Sequence, residues 1–441
     1  MKLLIVDQGA VGLAIAYRAA NYGHEVYWYV EDKPENYADE VGRGYKNITK
    51  VKNWVSFALK ADLVICTENG SFIEKLDSLK ARGVKVYSPS KEAVELEINR
   101  GKGMKFLEDH GIKVPEYHTF KSLEEVQKFV TDNEGPWVIK PEGDNENKAL
   151  SFVSKNDGEM LNQIELWKKQ KAFTGGSIIV QKKIEGIEFA VCAWVGSDGF
   201  IGEYSESFEH KKLMAKDAGP STGEMGTAIK YVKESKLGDM VLEPLEADLV
   251  KLGAYCSCDV NCIIDKKGQP WPLEFTMRFG WPATNIQLFL HKGDPVQFML
   301  DALDGEDTLK TSLDPAIGVV LAIPDFPFGN AKKEDVIGLP IYGITDKNDK
   351  HVQPQSMMLD ELLVEEETGI VKTTGPVTAG DYVAIVVDSG KTVTVAQENV
   401  YAIVAEISIP NKIYRSDIGD RVKKQLPELQ RLGFASDWPK E

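Results

Sequence analysis

The sequence predicts a mixed α/β and α+β protein. It starts with a doubly wound, parallel-sheet unit, continues through a larger unit of helices and antiparallel strands, and ends in a mostly β unit. Three observations predict this. Short apolar runs alternate with helical patterns through about residue 95, which is the signature of a parallel sheet covered by helices. The runs GAYCSCDVNCIID and PWPLEFTMRF, joined by KKGQ, read as a hairpin. From VVLAIPDFPFG to YAIVAEISI the chain is rich in short strand-like runs between Gly and Pro turns.

Taken in order, LLIVD reads as a strand, AVGLAIAYRAANYG as a helix ending at Gly23, and EVYWYV as a second strand. ADLVICT and VKVYSPS continue the strand theme, with FIEKLDSLKARG helical between them. EAVELEINRGKGMKFLEDHG places apolar residues at helical spacing, with Gly111 as its C-terminal stop. VPEYHTF and PWVIKPEG read as strands around the helix SLEEVQKFV; SIIVQKKI and EFAVCAWVG are strands joined by EGI. KQLPELQRLGF closes the chain as a docked tail. The expected units are 1–95, 96–325 with a lid at about 115–183, and 326–441.

Bulk properties narrow the function. A chain of 441 residues holds more than one core. Its net charge of −16 argues against a nucleic-acid surface, which needs clustered Lys and Arg, but leaves room for a local basic pocket. No segment is long and apolar enough to span a membrane. The chain opens directly on a strand, KLLIVD, without a charged leader, and its five cysteines are an odd number. Together these predict a cytoplasmic protein with reduced thiols. Cys256, Cys258 and Cys262 invite a metal reading, but their alternating, strand-like setting favours buried thiols.

Three motifs carry the chemistry. GPSTGEMGTA, Gly219–Ala228, is a glycine-punctuated loop with a Ser-Thr pair, which suits backbone N–H groups surrounding an anion. LEFTMRFGWP, Leu273–Pro282, puts Glu274 and Arg278 on a strand. A carboxylate and a guanidinium there suit a magnesium-bound phosphate, because magnesium takes hard oxygen ligands and arginine forks onto phosphate. YRSDIGDR, Tyr414–Arg421, is the third. In addition, Lys140 ends an apolar strand just before a Pro, where burial needs an anion to offset it.

In this order the motifs resemble the glycinamide ribonucleotide synthetase (phosphoribosylamine–glycine ligase) family of ATP-grasp enzymes, whose forms are GPNTGGMGA, LEFNxRFGDPE and YRxDIGxR. The resemblance implies a central ATP-grasp unit with a mobile lid. It implies ATP and Mg2+, or Mn2+, as cofactors, and small-molecule amine and carboxylate substrates in purine biosynthesis. The partners implied exclude nucleic acid and membrane, and the chain is expected as a monomer or homodimer. For the nucleotide it implies Arg100, Lys140, Lys148, Gln181, Lys183, Ile184 and Glu188. Glu188 would accept both ribose hydroxyls. Gly9, Ser221, Thr222, Gly223 and Met225 would meet substrate. Glu274, Thr276, Asn261 and Asp259 would hold metal, with Asp259 and Asn261 on one side of their strand. Arg278 and Lys211 would serve transfer of the phosphoryl group.

The chain departs from the family at named positions. The first turn, GNGGREHA in the family, reads Asp7-Gln8-Gly9-Ala10-Val11-Gly12-Leu13-Ala14 here, so Val11, Gly12 and Leu13 replace Arg, Glu and His. Trp281 and Ala283 replace the Asp and Glu of RFGDPE, and Thr276 replaces the Asn of LEFN. Gln181 replaces a Glu, Ser221 and Glu224 alter the glycine loop, and residues 144–150 replace a Gly-rich flap. Four readings stay open: joining glycine to phosphoribosylamine, a divergent ligase for another amine–carboxylate pair, a catalytically weak ATP-binding relative, and a nicotinamide dehydrogenase using the first turn. The last lacks a glycine at Asp7 that a dinucleotide fingerprint needs.

Overall fold

The structure is a computed structural model that describes residues 1–142, 151–173, 175–366 and 369–441. Strands β1 (Lys2–Asp7), β2 (Glu25–Val30), β3 (Ile48–Lys50), β4 (Leu63–Cys66) and β5 (Val86–Tyr87) form a parallel sheet in the order β3-β2-β1-β4-β5. Leu3 to Val6 of the central strand are wholly buried, as a parallel strand covered on both faces must be. The helix Leu13–Asn21 follows β1, and Gly23, at φ +89°, ends that turn of chain.

The second sheet is small and antiparallel: β6 (Tyr117–Phe120), β7 (Trp137–Glu142), β8 (Phe152–Val153) and β9 (Ser177–Lys182), in the order β6-β9-β7-β8. The helices Leu123–Asp132 and Asp157–Gln170 pack together on it around Val126, Trp137, Met160 and Ile164. This apolar cluster is separate from the main core. Lys183–Gly186 leads from β9 into the main sheet.

The main sheet has eight strands. Along the chain come β10 (Ile187–Val195), β11 (Phe200–Glu209), the short ribbon β12 (Lys212–Met214) and β13 (Ala218–Ser221), then β14 (Gly226–Val232), β15 (Ser257–Ile264), β16 (Pro270–Met277) and β17 (Ala316–Ala322). Beyond them lie β18 (Ile337–Pro340), β19 (Val352–Pro354), β20 (Met357–Glu366), β21 (Gly369–Ala379) and β22 (Tyr382–Ser389). The sheet order is β16-β15-β10-β11-β14-β17-β22-β19, so strands from both sides of residue 326 share one sheet. β18, β21 and β20 form a separate three-stranded sheet.

Two segments differ from the pattern reading. The helix expected across residues 92–111 is two helices, Lys91–Ile98 and Arg100–Asp109. Asn99 breaks it: its backbone is extended, and its side chain accepts from the Lys102 N–H at 2.9 Å. Such a cap stabilises a helix by about 1 kcal/mol. It also makes Arg100 the first residue of the second helix. YAIVAEI, expected among the short strands, belongs to the helix Val393–Glu406. Thr392 caps it, and Val393, Ala396, Val400 and Val404 form its buried stripe, so packing overrides the β-branched composition.

All five cysteines are free and buried. Among the described residues no group of three or more His, Cys, Asp or Glu side chains is arranged to hold a metal. No helix among them is long and apolar enough to cross a membrane.

Candidate active site

The site begins with a strand register. β15 and β16 are antiparallel, with Asn261 opposite Glu274 and Asp259 opposite Thr276. Directly opposed residues share a face, and so do residues two apart. The four side chains expected as metal ligands therefore form a two-by-two oxygen-rich patch, and Arg278 continues the Glu274–Thr276 row. Asn261 donates to Glu209 Oε2 at 2.9 Å, which leaves its own Oδ1 buried without a hydrogen-bond partner. Asp259 Oδ1 is also buried without one. Burial, then the nearby Glu209 charge, raises the Asp259 carboxyl well above its ordinary range.

Cations converge on this patch from three elements. Arg100, at the start of its helix, pairs with Glu274. Lys140 from β7 lies 4.0 Å from Glu274 Oε2. Lys211, just after β11, pairs with Glu188 at 2.8 Å and Glu209 at 3.0 Å. Burial pushes the Glu274 carboxyl up, yet Lys140, Arg100 and Lys211 together hold it well below the usual carboxylate range. Burial lowers Lys140, with Glu274 opposing. For Lys211 burial again favours the neutral amine, but Glu209, Glu188 and Glu274 outweigh it and keep the ammonium charged. Removing one partner from such a buried set leaves an uncompensated charge, so the groups hold one another in place.

The residues expected to meet a nucleotide straddle the join between the two antiparallel sheets. Gln181 is buried on β9, with its amide nitrogen toward Met104 Sδ at 3.9 Å. Lys183 donates to the Ser154 carbonyl at 3.2 Å, and Ile184 is half-buried in the same connection. Glu188, on β10, is held by Lys211; burial raises its carboxyl, but Lys211, Arg421 and Asn261 bring it below its ordinary value. Lys148 and the flap it belongs to lie outside the described residues.

The glycine loop folds back on Lys211. Thr222 donates both its N–H (2.8 Å) and its hydroxyl (2.9 Å) to the Lys211 carbonyl. Ser221 is exposed on β13, and a side chain at Gly223 would meet nothing within 4 Å, so the loop is open there. Met225 is a correction: its side chain is fully buried in the main core, so only its backbone borders the loop. Gly9 lies apart, in the first turn, against the Glu68 carboxylate.

Several groups escaped the sequence reading. Glu97 accepts from Arg278 Nε at 3.1 Å and from the Met277 N–H at 2.6 Å, fixing that arginine. Glu209 bridges Lys211 and Asn261. The third motif buttresses the loop: buried Arg415 reaches Asp217 and Asp417, both at 2.8 Å, and the Lys212 carbonyl at 3.2 Å. Arg421 donates to the Glu209 carbonyl. The spacing of YRSDIGDR is visible in sequence, but its partner β12–β13 ribbon is about 200 residues away, a distance no local pattern spans. His210 is buried with both ring nitrogens unpartnered, and burial, then Arg421 and Arg415, lowers it to about 4, so it is neutral.

The donor set fits a magnesium nucleotide. Magnesium is held by one or two carboxylates and the phosphates themselves, so it needs no three-carboxylate nest. Glu274 with the orphaned oxygens of Asp259 and Asn261 supplies the protein side. Arg100, Lys140 and Lys211 supply cations for phosphate oxygens.

Residues 102–284 match the family model of the phosphoribosylglycinamide synthetase ATP-grasp (A) domain. The chain is similar to phosphoribosylamine–glycine ligases from Escherichia coli O6:H1 and Salmonella typhimurium, each 26% identical over 440 residues and covering 96% of this chain and 98% of theirs. Its fold is similar to the crystal structure of phosphoribosylamine–glycine ligase from Thermotoga maritima, with a TM-score of 0.71, 21% identity, and 95% and 100% of the two chains covered. It is also similar to the biotin carboxylase domain of Hydrogenobacter thermophilus 2-oxoglutarate carboxylase, solved as a dimer with MgADP, with a TM-score of 0.65, 14% identity and 98% of each chain covered. By these likenesses residues 102–284 resemble an ATP-grasp domain of the phosphoribosylglycinamide synthetase type, and the chain shares the fold of the solved phosphoribosylamine–glycine ligase.

Proposed function

We propose that the protein is an ATP-dependent carboxylate–amine ligase working through an acyl phosphate. The observation that carries this is the convergence of Arg100, Lys140 and Lys211 on the Glu274 face beside an open glycine loop. A carboxylate at neutral pH is a poor electrophile. Transfer of the γ-phosphoryl group to one of its oxygens makes the carbon attackable and releases ADP. The amine lone pair then forms the C–N bond, inorganic phosphate leaves, and the amine gives up a proton.

Bound magnesium would supply charge neutralisation for the nucleotide's phosphates. This chain's residues do the rest. Glu274, with Asp259, Asn261 and Thr276, would hold the ion. Arg100, Lys140 and Lys211 would spread over phosphate oxygens, exchanging their present carboxylate partners for anionic ones of the same sign. Arg278, fixed by Glu97, would meet developing charge on the transferred group. Glu188, released from Lys211, would accept the ribose hydroxyls, with Gln181, Lys183 and Ile184 along the base. The loop around Thr222 and Gly223 would seat the carboxylate, and closure of the small sheet would exclude water that hydrolyses the acyl phosphate.

The relatives' names suggest glycine and phosphoribosylamine, a step of purine biosynthesis. A specific observation favours a second reading, in which the same chemistry serves another amine: Asp7 fills the first turn. ADP release over amine and carboxylate panels tests the reaction. ATP binding by titration calorimetry without amine-stimulated ADP release from any pair would leave only a nucleotide-binding protein.

A further inference from the structure

Arg278 follows the Glu274–Thr276 row, and its Nε–H donates to Glu97 Oε1 at 3.1 Å. Glu97 comes from another element, the last turn of the helix Lys91–Ile98. The helix's own field disfavours an acid there, because the unpaired C-terminal carbonyls already carry partial negative charge. Helix stability therefore does not account for Glu97. Its partners do.

Those partners divide between its two oxygens. Oε1 takes Arg278. Oε2 takes the Met277 N–H at 2.6 Å and the Asn69 side-chain amide at 2.7 Å. The terminal torsion of a glutamate is soft, so a carboxylate held by one N–H can turn about its last bond. Two donors from separate elements on Oε2 restrain that rotation, and with it the direction in which Oε1 meets the guanidinium. The Glu97 side chain is only 18% exposed, so water does little to replace a lost donor.

Asn69 belongs to the parallel-sheet unit, in the loop after β4. The loop is anchored on both sides of it. Before it, the Thr67 hydroxyl donates to Asp7 Oδ1 at 3.0 Å. After it, the Ser71 N–H donates to Gln8 Oε1 at 3.0 Å. A β-carbon on Gly70 would lie 1.7 Å from that same Gln8 oxygen, so a glycine is needed for the approach. The first turn thus holds Asn69 in place as a ready donor, the kind of support that a functional side chain needs from the groups behind it.

Glu68, the neighbour of Asn69, competes for the same guanidinium. Burial and the Asp7 charge push the Glu68 carboxyl up to about 7, and Arg278, then Lys33, oppose that rise. Arg278 is therefore drawn by two acids, Glu97 through a hydrogen bond and Glu68 through space. How firmly Glu97 is aimed decides which of them the arginine follows.

We propose that Asn69 is a positioning residue for phosphoryl transfer: through Glu97 it sets the pose of Arg278, so that a loop of the parallel-sheet unit completes the cleft. This rests on the ligase reading above, in which Arg278 meets the developing charge. Asn69 itself touches no reacting atom. Its effect is geometric, and small displacements of a group that must meet a transition state are costly.

Asn69→Leu keeps the bulk and removes the donor. In amine-stimulated ADP release at saturating substrates, kcat should fall about tenfold, the worth of one hydrogen bond to a buried charged group, with KM for ATP unchanged. In an Arg278→Lys background, which offers Glu97 no Nε–H, the same change should add nothing. Magnetic resonance of protein carrying isotope-labelled arginine reads the pose without turnover. The Arg278 Nε–H signal, identified by its loss in Arg278→Lys, should exchange with water about tenfold faster in Asn69→Leu. Asn69→Ala should give the same changes if leucine crowds the loop. An unchanged kcat or an unchanged signal in both variants would overturn the proposal. So would an equal loss of kcat in the Arg278→Lys background, or a raised KM for ATP at constant kcat, since Asn69 would then act on something other than Arg278. If the wild-type protein released no ADP with any amine and carboxylate pair, the ligase reading would fall, and the Arg278 signal alone would uphold or overturn the placement.

Discussion

The cleft around Glu274 and the pocket around Asp7 are both rich in carboxylates, and they differ in what faces those carboxylates. In the cleft three acids have cations: Arg100 and Lys140 on Glu274, and Lys211 on Glu188 and Glu209. Those cations hold Glu274 and Glu188 below the ordinary carboxylate range, while buried Asp259, without such a partner, is raised. Around the first turn Asp7 meets only neutral donors, and Glu68 lacks a partner on one oxygen. Burial raises both carboxyls. The same residue type is thus held ionised where cations outweigh burial and raised where burial prevails.

The sharpest way to break this contrast is Glu274→Ala. It removes the centre of the cleft network and leaves Arg100 and Lys140 unneutralised. We expect amine-dependent ADP release to fall by about 10²- to 10³-fold, with the circular dichroism spectrum unchanged. Full turnover by that variant would refute the metal assignment.

Next in size is Arg415→Ala, which tests whether the cleft depends on the distant C-terminal motif. The guanidinium is 1% exposed and holds Asp217 and Asp417. Its loss should destabilise the fold by about 3 kcal/mol in urea unfolding and loosen the glycine loop, raising KM for the carboxylate. A variant as stable as wild type would show that the motif merely decorates the surface.

The pocket has its own signature in pH. Glu68 is raised in the folded protein from 4.5 to about 7. The unfolded chain then releases this proton more readily, so the folded state loses stability as pH rises through the window from 4.5 to about 7, and the loss levels off above it. Glu68→Gln should flatten that part of the melting temperature–pH curve relative to wild type. An unchanged slope would mean that Glu68 is solvated and the pocket is not low in polarity.

The smallest effect belongs to Asn99→Ala. Without its bond to the Lys102 N–H the second helix loses its cap, at a cost of about 1 kcal/mol in chemical unfolding. Because Arg100 starts that helix, KM for ATP should rise with it. A change in stability alone would separate the cap from the nucleotide cleft.

Much of the fold could be read from the chain. The β15–β16 hairpin, the parallel first sheet and the lid strands follow from periodicity and turn residues, which are local properties. The helix Val393–Glu406 could not, because its β-branched residues favour a strand until Thr392 and a buried face set the outcome. Within the site, Glu274, Arg278, Lys140, Lys211 and Arg100 were visible as charged groups in apolar or glycine-rich settings. Glu97, Glu209 and Arg415 were not, since an acid or base on an ordinary element gives no sign of the partner it will meet. Met225 misled for the converse reason: it lies within a substrate-loop motif, but the turn buries its side chain in the core.

By itself the sequence determined the order of most strands and helices, the hairpin that carries Asp259 and Asn261 on one strand and Glu274 and Thr276 on the next, and the glycines that a tight loop requires. Those depend on residues near one another in the chain. Only the tertiary structure decided that Arg100, Lys140 and Lys211 converge on one carboxylate face, that Arg415 clamps a ribbon about 200 residues away, and that Thr67 and Trp28 join the first-turn N–H groups on Asp7. Charges act through space, so the balance of cation and carboxylate at each site exists only once separate segments are packed together.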